Sequence, residues 1–289
     1  MVKKLVRNPL SMLGLMLLTG FVVVAVAAPW IAPTPERYRD EPYRIPRYGW
    51  GSTPTPPSKE HPMGLTQGQY DIFYGVVWGT RTAFRVGIIV VGASCAVGIV
   101  VGAVSAYIGG RTDEIIMRVV DIFLSFPFLI AAVVITCVLG KGLDKVMIAM
   151  ICFWWMGYAR LLRGSILQVK EEEYVLAARA AGVSHAKIIM RHLLPNTIFP
   201  VLISASMDLG SVVVTAAGLS FLGLGAPEGY ADWGQMISFS RNWLLGAPGE
   251  PLKYWYTVLY PGMAIVLFVL AWNLIGDAFR DILDPKIQA

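Results

Sequence analysis

Three histidines, three cysteines and one acidic residue inside an apolar run are the side chains that invite a chemical reading of this sequence. His185 and His192 lie seven apart, two turns of a helix, and would share a face. No third ligand accompanies them, and a metal site needs one, so packing is the expected role. Cys95, Cys137 and Cys152 fall inside apolar stretches without metal-ligand spacing, and they read as buried thiols rather than as a disulfide or a metal centre. The sequence contains no G-x-x-x-x-G-K-S/T phosphate loop, no H-E-x-x-H and no G-x-S-x-G. It therefore carries no catalytic residues, no metal site and no cofactor site, and a non-enzyme is the expectation. Asp208 is different: it sits deep in the apolar stretch 198–220. A charge there costs roughly 3 kcal/mol in a bilayer and demands a partner, a proton or a water-filled cavity. A place on a path for solutes, or in its packing, and a hydrogen bond to a neighbouring helix both remain open for it.

The frame that positions these residues is set by composition. With 56% hydrophobic and 15% charged residues and a mean hydropathy of +0.60, the chain reads as an all-α, polytopic membrane protein. Its excess of 24 basic over 19 acidic residues, +5, is explained by orientation in a bilayer, because the basic residues cluster at the ends of apolar runs. Nucleic acid is accordingly not an expected partner, whereas lipid is.

Hydropathy predicts six transmembrane helices, near residues 10–32, 86–108, 119–139, 146–162, 198–220 and 256–275, each close to the ~20 residues a bilayer requires. Lys3, Lys4 and Arg7 precede the first and hold the N-terminus inside. Ala25-Val-Ala27 would suit a cleavage site, but the run is long for a signal peptide, so an uncleaved anchor is expected. Residues 33–80 are rich in Pro, Arg and Tyr and lack helical period; they form an extracytoplasmic segment without a core of its own. In the second span, Gly98 and Gly102 have the spacing that lets helices approach closely. Residues 109–118 read as a short inner turn, Pro127 bends the third span, and Asp121 is expected to pair with Arg118 one turn away. Trp233, Met236, Phe239 and Trp243 recur at helical spacing and suggest a short helix lying at the outer interface. Asp277, Arg280, Asp281 and Asp284 end the chain in the cytoplasm, spaced to pair.

The longest charged stretch between apolar ones is 169–196, too polar for lipid yet tethered by spans on both sides. Tyr174, Ala177, Ala178 and Ala181 recur at i, i+3, i+4, i+7, a stripe of small side chains beside one aromatic. Glu171, Glu172 and Glu173 suit the first turn of that helix, and Gly182 suits its end. Ser184 is placed to cap a second short helix from about His185 to Leu194, which Pro195 would close. The product is a helical elbow.

Leu176-Ala-Ala-Arg-Ala-Ala-Gly182, nine further residues and His192-Leu-Leu-Pro195 resemble the EAA loop of ABC-importer permeases, E-A-A-x-x-x-G, nine residues, I-x-L-P. Leu176 stands where that motif has Glu, and His192 where it has Ile; the His-x-Leu-Pro-Asn form is similar to the oligopeptide/dipeptide branch. His61-Pro-Met-Gly64, Gly109-Gly-Arg-Thr-Asp-Glu114, Arg118-Val-Val-Asp-Ile122, Leu219-Ser-Phe-Leu-Gly-Leu-Gly225 and residues 276–285 resemble the second, or C, permease subunit of peptide importers.

The resemblance implies the MetI-like fold of type I ABC importers, divided into an N-tail and first helix (1–32), an extracytoplasmic segment (33–81) and a permease core (82–289) with the coupling loop at 163–196. It further implies half of a translocation pathway for peptides, shared with a sister permease. Two ATP-binding subunits would bind the ATP, and an extracytoplasmic solute-binding protein would deliver the solute. Tyr174, Ala177, Ala178, Arg179, Ala181, Gly182, Val183, Ser184 and His185 would couple to the ATP-binding subunits, and Asp208 would line or pack the path. Similar transporters carry nickel complexes, opines or oligosaccharides. A stand-alone secondary transporter is the rival, but it needs coupling-ion residues and repeats, and the chain offers only Asp208 and no duplicated half.

Overall fold

The structure, a computed structural model, describes residues 8–246 and 249–283. Lys3, Lys4, Arg7 and Asp284 lie outside them. Helix α1 (Pro9–Ile31) opens on Asn8, whose side chain accepts from the Leu10 backbone N–H at 3.0 Å, with Pro9 in the first turn. Helix α2 (Ile72–Ile108) begins at Asp71, which accepts from the Tyr74 N–H at 2.9 Å and faces His61 Nδ1 at 2.8 Å with its other oxygen. The helix starts well before the expected residue 86. Its polar first turns are held by protein: Arg81 donates to the Ala25 carbonyl at 2.5 Å, and Arg85 pairs with Asp144 at 2.8 Å.

The predicted inner turn 109–118 is instead helical. Helix α3 (Gly110–Ser125) breaks at Phe126 and Pro127 into helix α4 (Phe128–Leu139), and the two are bent by 89°. Pro127 lacks an N–H and disfavours helix at the residue before it, so the chain breaks rather than curves. Helix α5 (Leu143–Val169) packs along α2, and here small residues decide the distance: a Cβ at Gly98 would meet the Trp155 carbonyl oxygen at 2.7 Å, and one at Gly102 the Ala159 carbonyl oxygen at 2.5 Å.

Helix α6 (Glu173–Ala180) and helix α7 (His185–Ile188) form the elbow. Helix α7 runs through a π-helical turn (Ile189–Leu193) into a last α turn (Leu194–Thr197) that leads into helix α8 (Phe199–Phe221). Pro195 therefore does not close the helix; it sits in a first turn, where a missing N–H costs nothing. The last described element is helix α10 (Tyr256–Leu283), which packs on α8 and α1. Among the described residues, five helices are long and apolar enough to cross a membrane, and the broken pair α3–α4 makes a sixth if taken as one span.

Helix α9 (Trp233–Phe239) corrects the sequence reading. Rather than lying at an interface, it is driven into the bundle: Trp233 and Met236 are buried, and a Cβ at Gly234 would sit 2.2 Å from the Ala217 carbonyl oxygen. Asp232 caps it by accepting from the Gln235 N–H at 2.8 Å, and the Trp233 indole donates to the Val76 carbonyl at 3.1 Å. Segment 32–71 covers this end of the bundle. Ile45 is buried, Tyr43 stacks on Tyr230, and the Ala231 N–H donates to the Tyr43 carbonyl at 2.7 Å.

Candidate functional site

Two places concentrate polar groups against an apolar frame. The first is the elbow, at the far end of α2 from segment 32–71. Glycine at 182 closes α6 with φ +73°, a left-handed conformation that costs glycine little. The Gly182 N–H donates to the Arg179 carbonyl at 3.0 Å and the Val183 N–H to the Ala178 carbonyl at 3.1 Å, the paired bonds of a Schellman motif. Ser184 precedes α7 in extended conformation, but its side chain makes no capping hydrogen bond, a correction to the expected cap.

The elbow has two faces. Val175, Ala178, Ile188 and Leu193 are buried in one core with Leu162 and Ile166 of α5, and Val183 packs against it. Ala178 thus leaves the exposed stripe on which the helical spacing placed it. Tyr174, Ala177, Arg179, Ala181, Gly182, Ser184 and His185 stay exposed, as does Leu176. The exposed face is held by Tyr107 near the end of α2: its hydroxyl lies 2.7 Å from His185 Nδ1, and the Arg179 guanidinium lies over its ring at 5.4 Å. The sequence reading missed Tyr107, because only the fold brings it 78 residues along the chain to His185.

Below α6, the acid of the Gly109–Glu114 motif is clamped. Asp113 accepts both Nε and a terminal nitrogen of Arg163 at 2.6 Å, a bidentate pair, and also the Ser105 hydroxyl. Asp121 pairs with Arg160 of α5 at 2.5 Å, not with Arg118 as expected, so it ties α3 to α5 instead of bracing its own helix. Among the described residues no ion pair joins Asp277, Arg280 and Asp281.

The second place is a cleft of about 640 Å³ where α3, α4, α5 and α8 meet. Phe123, Phe126, Phe128, Phe153 and Trp154 line it, and all but Phe126 stand in edge-on pairs such as Phe128 with Trp154 at 5.9 Å. Asp208 reaches its wall and accepts from the Tyr158 hydroxyl at 2.7 Å. The hydrogen bond to a neighbouring helix therefore exists, and it leaves the carboxylate facing open space. Tyr158 is 2% exposed, so its ring is buried in the bundle.

The profile described as "Binding-protein-dependent transport system inner membrane component" matches residues 98–289, and "N-terminal TM domain of oligopeptide transport permease C" matches residues 1–49. The chain is similar to the dipeptide transport system permease protein DppC of Alkalihalophilus pseudofirmus, 35% identical over 99% of this chain and 89% of that one. It is likewise similar to the probable D,D-dipeptide transport system permease protein DdpC of Escherichia coli K12, 34% identical over 96% and 88%. The glutathione transport system permease protein GsiD of Escherichia coli O157:H7 is 34% identical over 98% and 88%. Among solved structures, the inward-facing MetNI methionine ABC transporter shares the fold at TM-score 0.57 and 20% identity, over 73% of this chain and 97% of that one. The chain belongs to the family of inner-membrane components of binding-protein-dependent transport systems, and within it to the permease C type.

Proposed function

We propose that the chain forms half of the translocation pathway of an ATP-driven peptide importer and takes its motion from ATP-binding subunits through the elbow. The observation that carries the proposal is the two-faced elbow. One face is locked into the bundle core, while Ala177, Ala181 and Gly182 present small, exposed groups beside Tyr174 around a fixed turn. Small side chains admit close approach of another protein surface, and a rigid inner face transmits its displacement to α5 and α8. Val183, Ser184, His185 and Arg179 belong to the same docking surface; Ala178 contributes from the inside by setting how closely α6 packs.

The family's dependence on a binding protein supports the other partners: a sister permease completing the pathway, two ATP-binding subunits that bind and hydrolyse ATP, and an extracytoplasmic solute-binding protein. The permease itself has no catalytic role and no cofactor. Arg160, Arg163, Lys170, Arg179, Lys187 and Arg191 crowd the elbow end, which supports a cytoplasmic elbow with both termini on the same side and segment 33–81 outside. ATP binding closes the ATP-binding subunits, the elbows move with them, and the helices rock between inward- and outward-open states. The names of the relatives, transporters of dipeptides, D,D-dipeptides and glutathione, support a peptide as solute.

A cysteine at Ala177 tests the proposal. In the assembled transporter it is expected to cross-link to an ATP-binding subunit, whereas a cysteine at Val26, an exposed position on α1, is not. Cross-linking from neither position, in a complex that co-purifies, would refute the role of the elbow.

A further inference from the structure

The cleft at the α3–α4 break carries a chemistry that none of the family's names describes. Its wall is built largely from aromatic faces, and among the described residues Asp208 is the only charged side chain on it. Among the described residues no basic group pairs with Asp208; its partner is the neutral Tyr158 hydroxyl, which occupies one oxygen and fixes the carboxylate's direction. Ser204, one helical turn before Asp208 on α8, adds a hydroxyl oxygen to the same wall. Aromatic faces and a carboxylate on one wall attract the same class of group, an organic cation. A primary ammonium has three N–H donors, and this wall offers it a carboxylate oxygen, a hydroxyl oxygen and ring faces. The volume is that of a small-molecule site.

We propose that the cleft is a subsite for the ammonium group of a passing solute, chiefly the amino terminus of a peptide, with Asp208 as its counter-ion. The inference rests on the reading of the chain as half of a peptide pathway. It adds that the pathway wall selects for a free amino end, independently of what the binding protein selects.

The complete transporter, solubilised in detergent, provides the test. It is incubated with alanyl-alaninamide, whose own carboxyl is blocked, and a membrane-permeant carbodiimide, and acids amidated by the dipeptide are located by mass spectrometry. In that reaction the carboxyl gives one oxygen to the carbodiimide, which leaves as its urea, and the amine nitrogen forms the amide. The expected yield at Asp208 is at least fivefold above that at the exposed Glu171. Excess tetramethylammonium, a cation that cannot react, should suppress the Asp208 adduct, and excess N-acetyl-alanyl-alaninamide, an acetylated dipeptide with no free amine or carboxyl, should not. No adduct at Asp208, a yield no greater than at Glu171, or suppression by the acetylated dipeptide to the same degree overturns the inference.

In proteoliposomes, Asp208→Asn is expected to lower alanyl-alanine uptake at least tenfold, with part recovered in Asp208→Glu; undiminished uptake in Asp208→Asn also overturns it. The amidation result on the unaltered protein stands even where a variant fails to assemble. A failed subsite would leave cross-linking at Ala177 intact, so it is distinguishable from failure of the importer reading.

Discussion

Replacing Gly182 separates the elbow's backbone from its surface. At φ +73° a residue with a Cβ pays about 1–2 kcal/mol, since the Cβ approaches the following carbonyl oxygen. No neighbouring atom lies within 4 Å of a Cβ built there, so within this chain the whole cost is conformational. A shift of 1–2 kcal/mol is about a 5- to 30-fold loss in the weight of the closed turn against opened alternatives. Opening it releases the Gly182–Arg179 and Val183–Ala178 bonds and uncovers Ile188 from the core. Valine, β-branched, suffers most at positive φ; asparagine suffers least among side-chain-bearing residues. The complex is reconstituted in proteoliposomes, and ATPase stimulation by the binding protein is measured beside uptake. Gly182→Val should insert and co-purify normally yet lose most of both, whereas Gly182→Asn should retain them if the turn alone matters. Equal loss in both variants would instead show that the empty volume beside Gly182 is filled by the partner. Full coupling in Gly182→Val would refute the assignment of the turn as a coupling element.

Three further outcomes follow from the packing. Gly102→Ala should destabilise the protein by about 1–3 kcal/mol through overpacking against the Ala159 carbonyl, read as a lower melting temperature in detergent, while Gly92→Ala on the same helix, where a Cβ meets nothing within 4 Å, should not. Tyr107→Phe removes the hydroxyl facing His185 and should cost about 0.5–1.5 kcal/mol, read as faster hydrogen exchange across 179–188 with little change in global melting. Burial pushes the Asp232 carboxyl from the ordinary 3.8 to about 6, with the Gln235 and Gly234 N–H groups opposing the shift in part. The folded state then holds a proton the unfolded state has lost between pH about 4 and about 6, so stability falls as pH rises through that window, by about 3 kcal/mol in all. Asp232→Asn, which keeps the cap, should melt higher than the unaltered protein at pH 7 and alike at pH 4; a constant difference across that range would contradict the assignment.

The helices were legible because a bilayer imposes length: runs of about 20 apolar residues are hard to mistake. Pro127 and Gly182 were legible too, each acting through its own backbone geometry. Partners distant in sequence were not. Asp121 stands one turn from Arg118, and nothing local says that Arg160 lies closer. Helix α9 shows how the membrane blurs an amphipathic signal: Trp233, Met236 and Phe239 have the spacing of an interfacial anchor and equally of a buried insert. Gly234, whose missing side chain lets α9 reach the α8 backbone, decides between them. An amphipathic ring near a span's end usually favours the interface, yet the Tyr158 hydroxyl is satisfied internally by Asp208, which the sequence does not reveal.

The central claim is that the elbow faces the cytoplasm and meets an ATP-binding subunit there. With Cys95, Cys137 and Cys152 replaced, a single cysteine at the exposed Ser184 is treated with a membrane-impermeant maleimide. The account predicts no labelling in intact cells, rapid labelling in inverted vesicles stripped of the ATP-binding subunits, and protection when those subunits are restored. Labelling of Ser184→Cys from outside intact cells would contradict it.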